Sequence, residues 1–457
     1  MIEKLENLAP RVHNWARTVE CTPAVVVKPT TDDELRRVLV DRDTYPSPVR
    51  PIGHFHSTTP CAASDGGTLI DMTALNKIIE ISDQHVTVQG GAQYLAVQQA
   101  LVDRGLHFFV DLQIGNVTLG SLATCDTKDG AYLGEFGQLG AYVTRLKLAT
   151  ASGEILVVDD QDPALLHAVR SSYGLLGVVL EVTFRIEPMR SIGIRHACYS
   201  FEAFIDALPE LVTRDGSMMM YLFPFANRVI VQLRRPGDAR RWRSRLVWRL
   251  RNLGVAYLVP LFARFAGLIR VSTFRFLLQQ LFDAISRVLL VYFLHARNTR
   301  PSDQTTDYPE RTKLTEFTFS IFAFPARRYP DVLLAYREFC WDYYNANSYR
   351  PDLLSVGYFV RKCDYSLFSY AADSDVMTID PVATGGDGWS AFAAAFNEFC
   401  AARDGKPLFN QTPALTSDQV RRAFGDKIER FNALRQRLDP DARLLNAYFR
   451  DLLGGQL

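Results

Sequence analysis

Val49-Arg50-Pro51-Ile52-Gly53-His54-Phe55-His56-Ser57 runs on through Thr58-Thr59-Pro60-Cys61-Ala62-Ala63-Ser64 to Asp65-Gly66-Gly67-Thr68-Leu69-Ile70-Asp71-Met72. A β-type run enters, a glycine and two histidines follow, and a second short β-type run leaves. Glycine lets the backbone pass close to a ligand because no Cβ intervenes. Successive loop N–H groups then form an anion-binding concavity. A histidine in such a loop is a nucleophile or proton carrier as well as a donor. The combination points to a loop folded against a phosphate-bearing cofactor; the alternative is a polar surface turn.

The chain has 457 residues, more than one compact core accommodates, which suits two domains. A net charge of +1 with 48% apolar residues argues against nucleic acid as the main partner. Seven scattered cysteines with no Cys-x-x-Cys pair favour reduced thiols and a cytoplasmic location. The start, MIEKLENLAPRVHNW, lacks the basic and apolar runs of a signal peptide. No uninterrupted apolar stretch reaches about 18 residues, so no transmembrane helix is expected. The eight histidines are dispersed, so no metal site is expected.

Outward from the histidine loop, residues 1–20 read as a short helix, Ala24–Lys28 as a strand, and Thr30-Thr31-Asp32-Asp33-Glu34 as a helix start. Strands follow at 78–81 and 86–89, then a helix from Tyr94. Gly115 to Thr124 is rich in small and hydroxyl residues, suited to backbone contact with a pyrophosphate or, equally, to a tight turn and a helix start. Gly174-Leu175-Leu176-Gly177 precedes a buried strand, Val178 to Phe184. Residues 193–235 read as strand, helix and strand, 301–313 as a polar loop, and the rest as alternating strands and helices.

Residues 234–300 hold fourteen arginines, no lysine and two acids, interleaved with aromatic and aliphatic residues. Two readings follow: a basic amphipathic segment on an anionic membrane, its tryptophans interfacial, or a helical insertion whose arginines face water.

In order along the chain, these motifs resemble those of the vanillyl-alcohol-oxidase-type flavoproteins, and within them the gulonolactone and arabinonolactone oxidase group. Asn14-Trp15-Ala16 with Cys21-Thr22-Pro23 resembles the group's opening. Gly53-His54-Phe55-His56-Ser57 resembles its Gly-x-Gly-His-Ser loop, with Phe55 at the second glycine. Val117-Thr118-Leu119-Gly120-Ser121, Gly174 to Thr183, and Arg437-Leu438-Asp439-Pro440 with Leu445-Asn446-Ala447-Tyr448 continue the match. The resemblance implies an α+β fold: a two-subdomain FAD-binding domain (1–190), an inserted α+β cap carrying substrate (191–404, with the arginine-rich insertion 234–300), and a C-terminal return (405–457). It implies FAD contacts from Ile52, Gly53, His54, Phe55, His56, Ser57, Thr58, Thr118, Gly120, Ser121, Thr124, Gly174, Gly177, Val178, Val179, Asn446 and Tyr448. His56 is the candidate for a covalent bond to the flavin, with non-covalent FAD as the alternative.

Elsewhere the chain departs from the group. Gln411 stands where the group has its active-site lysine, Leu408 at its histidine, Val356 and Tyr358 at its Glu-x-Arg pair, and Ile321 at a further glutamate. Asp126-Thr127-Lys128 replaces Thr-His-Gly. Losing groups that grip sugar hydroxyls leaves those hydroxyls desolvated without partners. The expected small-molecule substrate is therefore more apolar than a sugar lactone, or lipid-linked. The expected reaction is hydride transfer from a C–OH or related C–H bond to FAD. Tyr358, Gln411 and Asn410 are the catalytic candidates, with Asp364 and Tyr365 behind them; a glutamine orients rather than accepts a proton. Flavin-dependent C–C double-bond reduction or desaturation, and a redox-inactive flavin-binding protein, are the alternatives.

Overall fold

The computed structural model describes residues 11–213, 216–237, 242–308 and 316–454, with the side chains of 242 and 243 excepted. A short strand pair opens the described chain, Val12–His13 against Glu20–Cys21, in place of the expected helix; residues 1–10 of that expectation lie outside the described residues. The reason is local: Asn14 Oδ1 accepts from the backbone N–H groups of Thr18 (2.8 Å) and Val19 (2.9 Å). A short polar side chain that captures its own backbone in this way favours a turn over a helix.

Three short parallel strands follow, ordered Val25–Val27, Thr68–Asp71, Val49–Ile52. The helix Asp32–Val40 links the two outer strands. Thr31 caps it by accepting from Glu34 N–H, and Leu35, Val38 and Leu39 bury its inner side. A second, antiparallel sheet is ordered Ile155–Val158, Val143–Ala149, Val178–Pro188, His85–Gln89, Ile78–Ile81, and Leu106–Phe108 pairs with the end of the long central strand. Phe409, Phe424, Phe431 and Phe449 from the C-terminal return pack into the core of this second sheet.

A seven-stranded antiparallel sheet forms the remaining body. Its order is Ile192–Tyr199, Arg228–Pro236, Ser217–Phe223, Ser355–Val360, Val376–Ile379, Phe322–Pro325, Lys406–Pro407. Ser217–Phe223 is buried throughout, and its two-residue period separates two cores. Met218, Met220 and Leu222 pack under the helices Phe201–Thr213, Tyr329–Asn347 and Trp389–Ala401. Met219, Tyr221 and Phe223 belong to the core on the opposite side.

The chain leaves this sheet after Pro236 and rejoins it where Thr299 pairs with Ile192. Between them run two long helices: Trp242 to Gly267, with a wide π turn at Gly254–Leu258, and Ser272 to Phe293, ending in a second wide turn at Leu289–Phe293. Neither reading of the arginines holds uniformly. Arg234, still in the strand Arg228–Pro236, is buried against Asp129, while Arg251 donates to Gln113, Arg264 pairs with Glu316, and Arg275 donates to Ser348 O, so these last three tie the insertion to the body. Arg249 and Arg270 are exposed. Trp248 is not interfacial. It is buried against Ile192 and Ile194, and its ring N–H donates to Arg297 O. Ser272–Phe293 is long and apolar enough to cross a membrane by length and composition, although polar residues interrupt its apolar run. Its polar residues dock it along the cap instead: Asp283 pairs with buried Arg350 at 2.6 Å.

Residues 301–308 are not the expected polar loop. Pro301–Gln304 is a helical turn, Thr305 Oγ1 donates to Gln98 Oε1 and Leu112 O, and Asn116 Nδ2 donates to Tyr308 O. Residues 309–313 lie outside the described residues.

Candidate active site

A cavity of about 610 Å³ lies between the two small sheets, the cap sheet and the insertion. Of the sequence candidates, Ile52, Gly53, His54, Phe55, His56, Ser57, Thr118, Gly120, Ser121, Thr124, Gly174, Gly177, Val178 and Val179 line it. Tyr358, Asn410 and Gln411 line it as well.

The histidine loop is held from three directions. Asn14 Nδ2 donates to Ser57 O, and Trp15 N–H donates to Phe55 O. The Trp15 ring lies 4.6 Å from that of His56. Arg50, fully buried at the loop's entry, donates to Leu444 O, Cys61 O and Tyr173 O. Phe55 occupies the left-handed region at φ +49°, the conformation its glycine counterpart would adopt without strain. Its ring repays that strain by packing with Val19, Cys21, Ala63 and Leu69.

Three cofactor candidates lie elsewhere. Thr58, Asn446 and Tyr448 are not on the cavity wall. Thr58 N–H donates to Asn410 O, Tyr448 OH donates to Phe409 O, and Asn446 Nδ2 donates to the carbonyls of Pro60, Cys61 and Ala63. They fasten the loop to the C-terminal return from behind.

The cavity fits a flavin dinucleotide on two counts. The glycine segments press together with no room for side chains: a Cβ on Gly53 would sit 2.3 Å from Thr118 Oγ1, and one on Gly120 would sit 2.7 Å from Gly90 O. Packing this close brings the backbones of these loops side by side on the cavity wall, where a ligand can approach them. Asn410 Oδ1 is buried on the cavity wall with no donor among the described residues. A buried acceptor in that state marks a place for a ligand or water.

The chemistry-bearing groups that sequence reasoning passed over are Lys128 and Asp380. Lys128 Nζ lies 2.8 Å from Asp380 Oδ2 and 4.6 Å from the centre of the Tyr358 ring. Both residues line the cavity, and Asp380 comes from the loop after the strand Val376–Ile379. Burial lifts the Asp380 carboxyl above its ordinary range, and Lys128 opposes that lift. The signal was Lys128 itself, in the altered segment, but no sequence spacing links it to a residue 252 positions later. Asp126 lies on the same wall. Burial raises its pKa to about 6, against hydrogen bonds from Tyr173 OH (2.6 Å) and Tyr365 OH (3.0 Å).

These positions revise the catalytic candidates. Burial pushes the Tyr358 phenol well above its ordinary value, so it is a hydrogen-bond donor and not a base. Asp364 is exposed, pairs with His167 and does not reach the cavity, and Tyr365 is committed to Asp126. Ile321 and Leu408 are buried within the cap's inner core, so the two acid or imidazole positions of the group are here apolar packing. Val356 faces the cavity.

Two family patterns span most of the chain. Residues 23–159 match the FAD-binding domain, and residues 182–452 match D-arabinono-1,4-lactone oxidase. The chain belongs to the D-arabinono-1,4-lactone oxidase family. It is an FAD-dependent oxidoreductase of the aldonolactone oxidase and dehydrogenase type. It is 26% identical to L-gulono-1,4-lactone dehydrogenase of Mycobacterium tuberculosis over 98% of this chain and 100% of that one. It is 23% identical to L-gulonolactone oxidase of Scyliorhinus torazame over 95% and 96%. Among solved structures, a solvent-stable cholesterol oxidase superposes with a TM-score of 0.75 over 99% of this chain and 98% of that one at 15% identity. The Brevibacterium sterolicum cholesterol oxidase superposes at 0.73 over 99% and 97%, at 14%. At such identities the likeness shows the fold, the expected α+β two-subdomain FAD-binding architecture with a cap.

Proposed function

We propose that this oxidoreductase oxidises a CH–OH group on a small molecule more apolar than a sugar lactone, and that it works as a cytoplasmic enzyme docked peripherally on a membrane through residues 242–294. The observation that carries the reading is the character of the cavity's substrate part. Met219, Tyr221, Val356, Phe319, Leu353 and Leu354 line it, and Lys128 with Asp380 supplies its paired charges.

FAD supplies the hydride-accepting chemistry when bound. The Ile52–Ser57, Val117–Thr124 and Gly174–Val179 segments hold it, and His56 is the candidate anchor. Asp380 accepts the hydroxyl proton at its carboxylate as the carbinol carbon gives up hydride and becomes a carbonyl. Lys128 keeps that carboxylate ionised, and both sit where Asn410 and Gln411 can orient the hydroxyl. A base with a pKa lifted toward the working pH suits this role.

The test is anaerobic bleaching of the flavin band by a series of alkanols, with gulonolactone and arabinonolactone alongside. Faster reduction by the longer alkanols is expected. Equal or better reduction by the lactones would refute the apolar substrate.

A further inference from the structure

We infer that the cavity's mouth opens through the helical insertion onto its exposed apolar face, so that the substrate is an amphiphilic alcohol drawn from a bilayer with its hydroxyl at Lys128–Asp380 and its hydrocarbon tail between the two helices. This rests on the proposed reaction and names its substrate class and route.

Three observations carry it. First, two thirds of the large apolar side chains exposed in the described chain lie between Leu246 and Phe293. A patch of that extent marks an interaction surface. Second, four side chains belong both to that face and to the cavity wall: Leu250 (49% exposed), Leu258 (67%), Leu289 (51%) and Phe293 (40%). Residues that are both exposed and cavity-lining mark where the cavity nears the surface. Third, both wide turns, Gly254–Leu258 and Leu289–Phe293, flank this mouth. Such π turns part the regular i to i+4 stacking and recur at functional sites.

The occupant of the face is a lipid bilayer rather than a second protein. Phe265, Leu268, Val271 and Phe274 crown the helix–helix turn at 61–75% exposure, beside exposed Arg270, with Arg249 on the same insertion. An apolar tip with an arginine beside it, and a further exposed arginine along the same insertion, match an anionic interface. The cavity wall joins the mouth residues Leu250, Leu258, Leu289 and Phe293 and the neighbouring Phe282 and Leu290 to the ion pair Lys128–Asp380. That combination fits a molecule with one polar end.

The probe is hexadecanol bearing a mid-chain diazirine, presented to the FAD-loaded protein in vesicles of phosphatidylcholine with phosphatidylglycerol. After irradiation, peptide mapping is expected to place label on the wall around Leu250, Val255, Leu289 and Leu290. Gly254→Trp is the blocking variant, because a side chain there meets nothing within 4 Å and the helix tolerates it. It is expected to keep its flavin spectrum and vesicle binding while wall labelling falls at least tenfold. Label confined to Leu268, Val271 and Phe274, or wall labelling undiminished in Gly254→Trp, overturns the inference, as does failure of the wild type to bind vesicles. Wall labelling without any flavin bleaching by alcohols would sink the proposed reaction and leave the amphiphile site standing.

Discussion

Replacing Leu268 and Phe274 by serine tests the docking face where it is least entangled with the fold. Leu268 is 75% exposed and Phe274 61% exposed, and neither lines the cavity. Full burial of a leucine or phenylalanine contributes about 1.5–3 kcal/mol. Scaled by exposure, the two side chains contribute together about 3 kcal/mol on entering a lipid interface. At about 1.4 kcal/mol per decade, that is a loss of roughly 100-fold in the partition coefficient. Co-sedimentation over a range of phosphatidylcholine–phosphatidylglycerol concentrations reads the coefficient directly. Salt should weaken the wild type only in part, because screening acts on Arg249 and Arg270 and not on the apolar term. Thermal unfolding of the double variant should match the wild type, since both side chains lie mostly in water. Equal partitioning of variant and wild type would refute the docking argument, because no other property of these two residues could compensate a loss of that size.

Asp380→Asn removes the proposed proton acceptor and is expected to slow anaerobic flavin reduction by roughly 10²–10⁴-fold. In the wild type, the rate should fall as pH drops through an apparent pKa above the ordinary aspartate range, and a flat pH profile would argue against Asp380. Acid precipitation of the wild type should leave yellow colour in the pellet if His56 carries the flavin, with His56→Ala releasing it; colour in the supernatant of both would mean non-covalent FAD. His107 is buried beside Glu187 (3.1 Å) and Asp111. Burial works against its charge, but the two carboxylates prevail and raise its pKa from 6.5 to about 9. The charged pair therefore contributes about 3 kcal/mol that is fully present below pH 6.5 and is lost as pH rises through about 9. The melting temperature of the wild type should decline across that window, and that of His107→Gln should not.

The parts legible in the sequence are those written in neighbouring residues. Thr31 with Glu34 announces a helix start, the Val/Ile runs announce the small parallel sheet, and glycine beside histidine announces the ligand loop, because caps, pleats and backbone access are short-range effects. The opening strand pair was missed because one side chain, Asn14, outweighed a weak helical pattern. Asn446 and Tyr448 were recognised as a motif, but their work of gripping residues 60–63 and 409 shows only where those segments meet. The arginines of the insertion could not be sorted from composition, since a buried ion pair and a solvated cation are the same letter.

By itself, then, the sequence determined the family, the flavin and most of the order of the elements, all of which reside in local motifs and their succession. Tertiary structure alone decided which charges line the cavity. Lys128 and Asp380 meet because a loop of the FAD-binding domain and a loop of the cap sheet close on one cavity. It alone put Leu250, Leu258 and Leu289 of the insertion both at the surface and among the residues lining that cavity. Both facts depend on distance in space between segments far apart in the chain, which no pattern of neighbouring residues encodes.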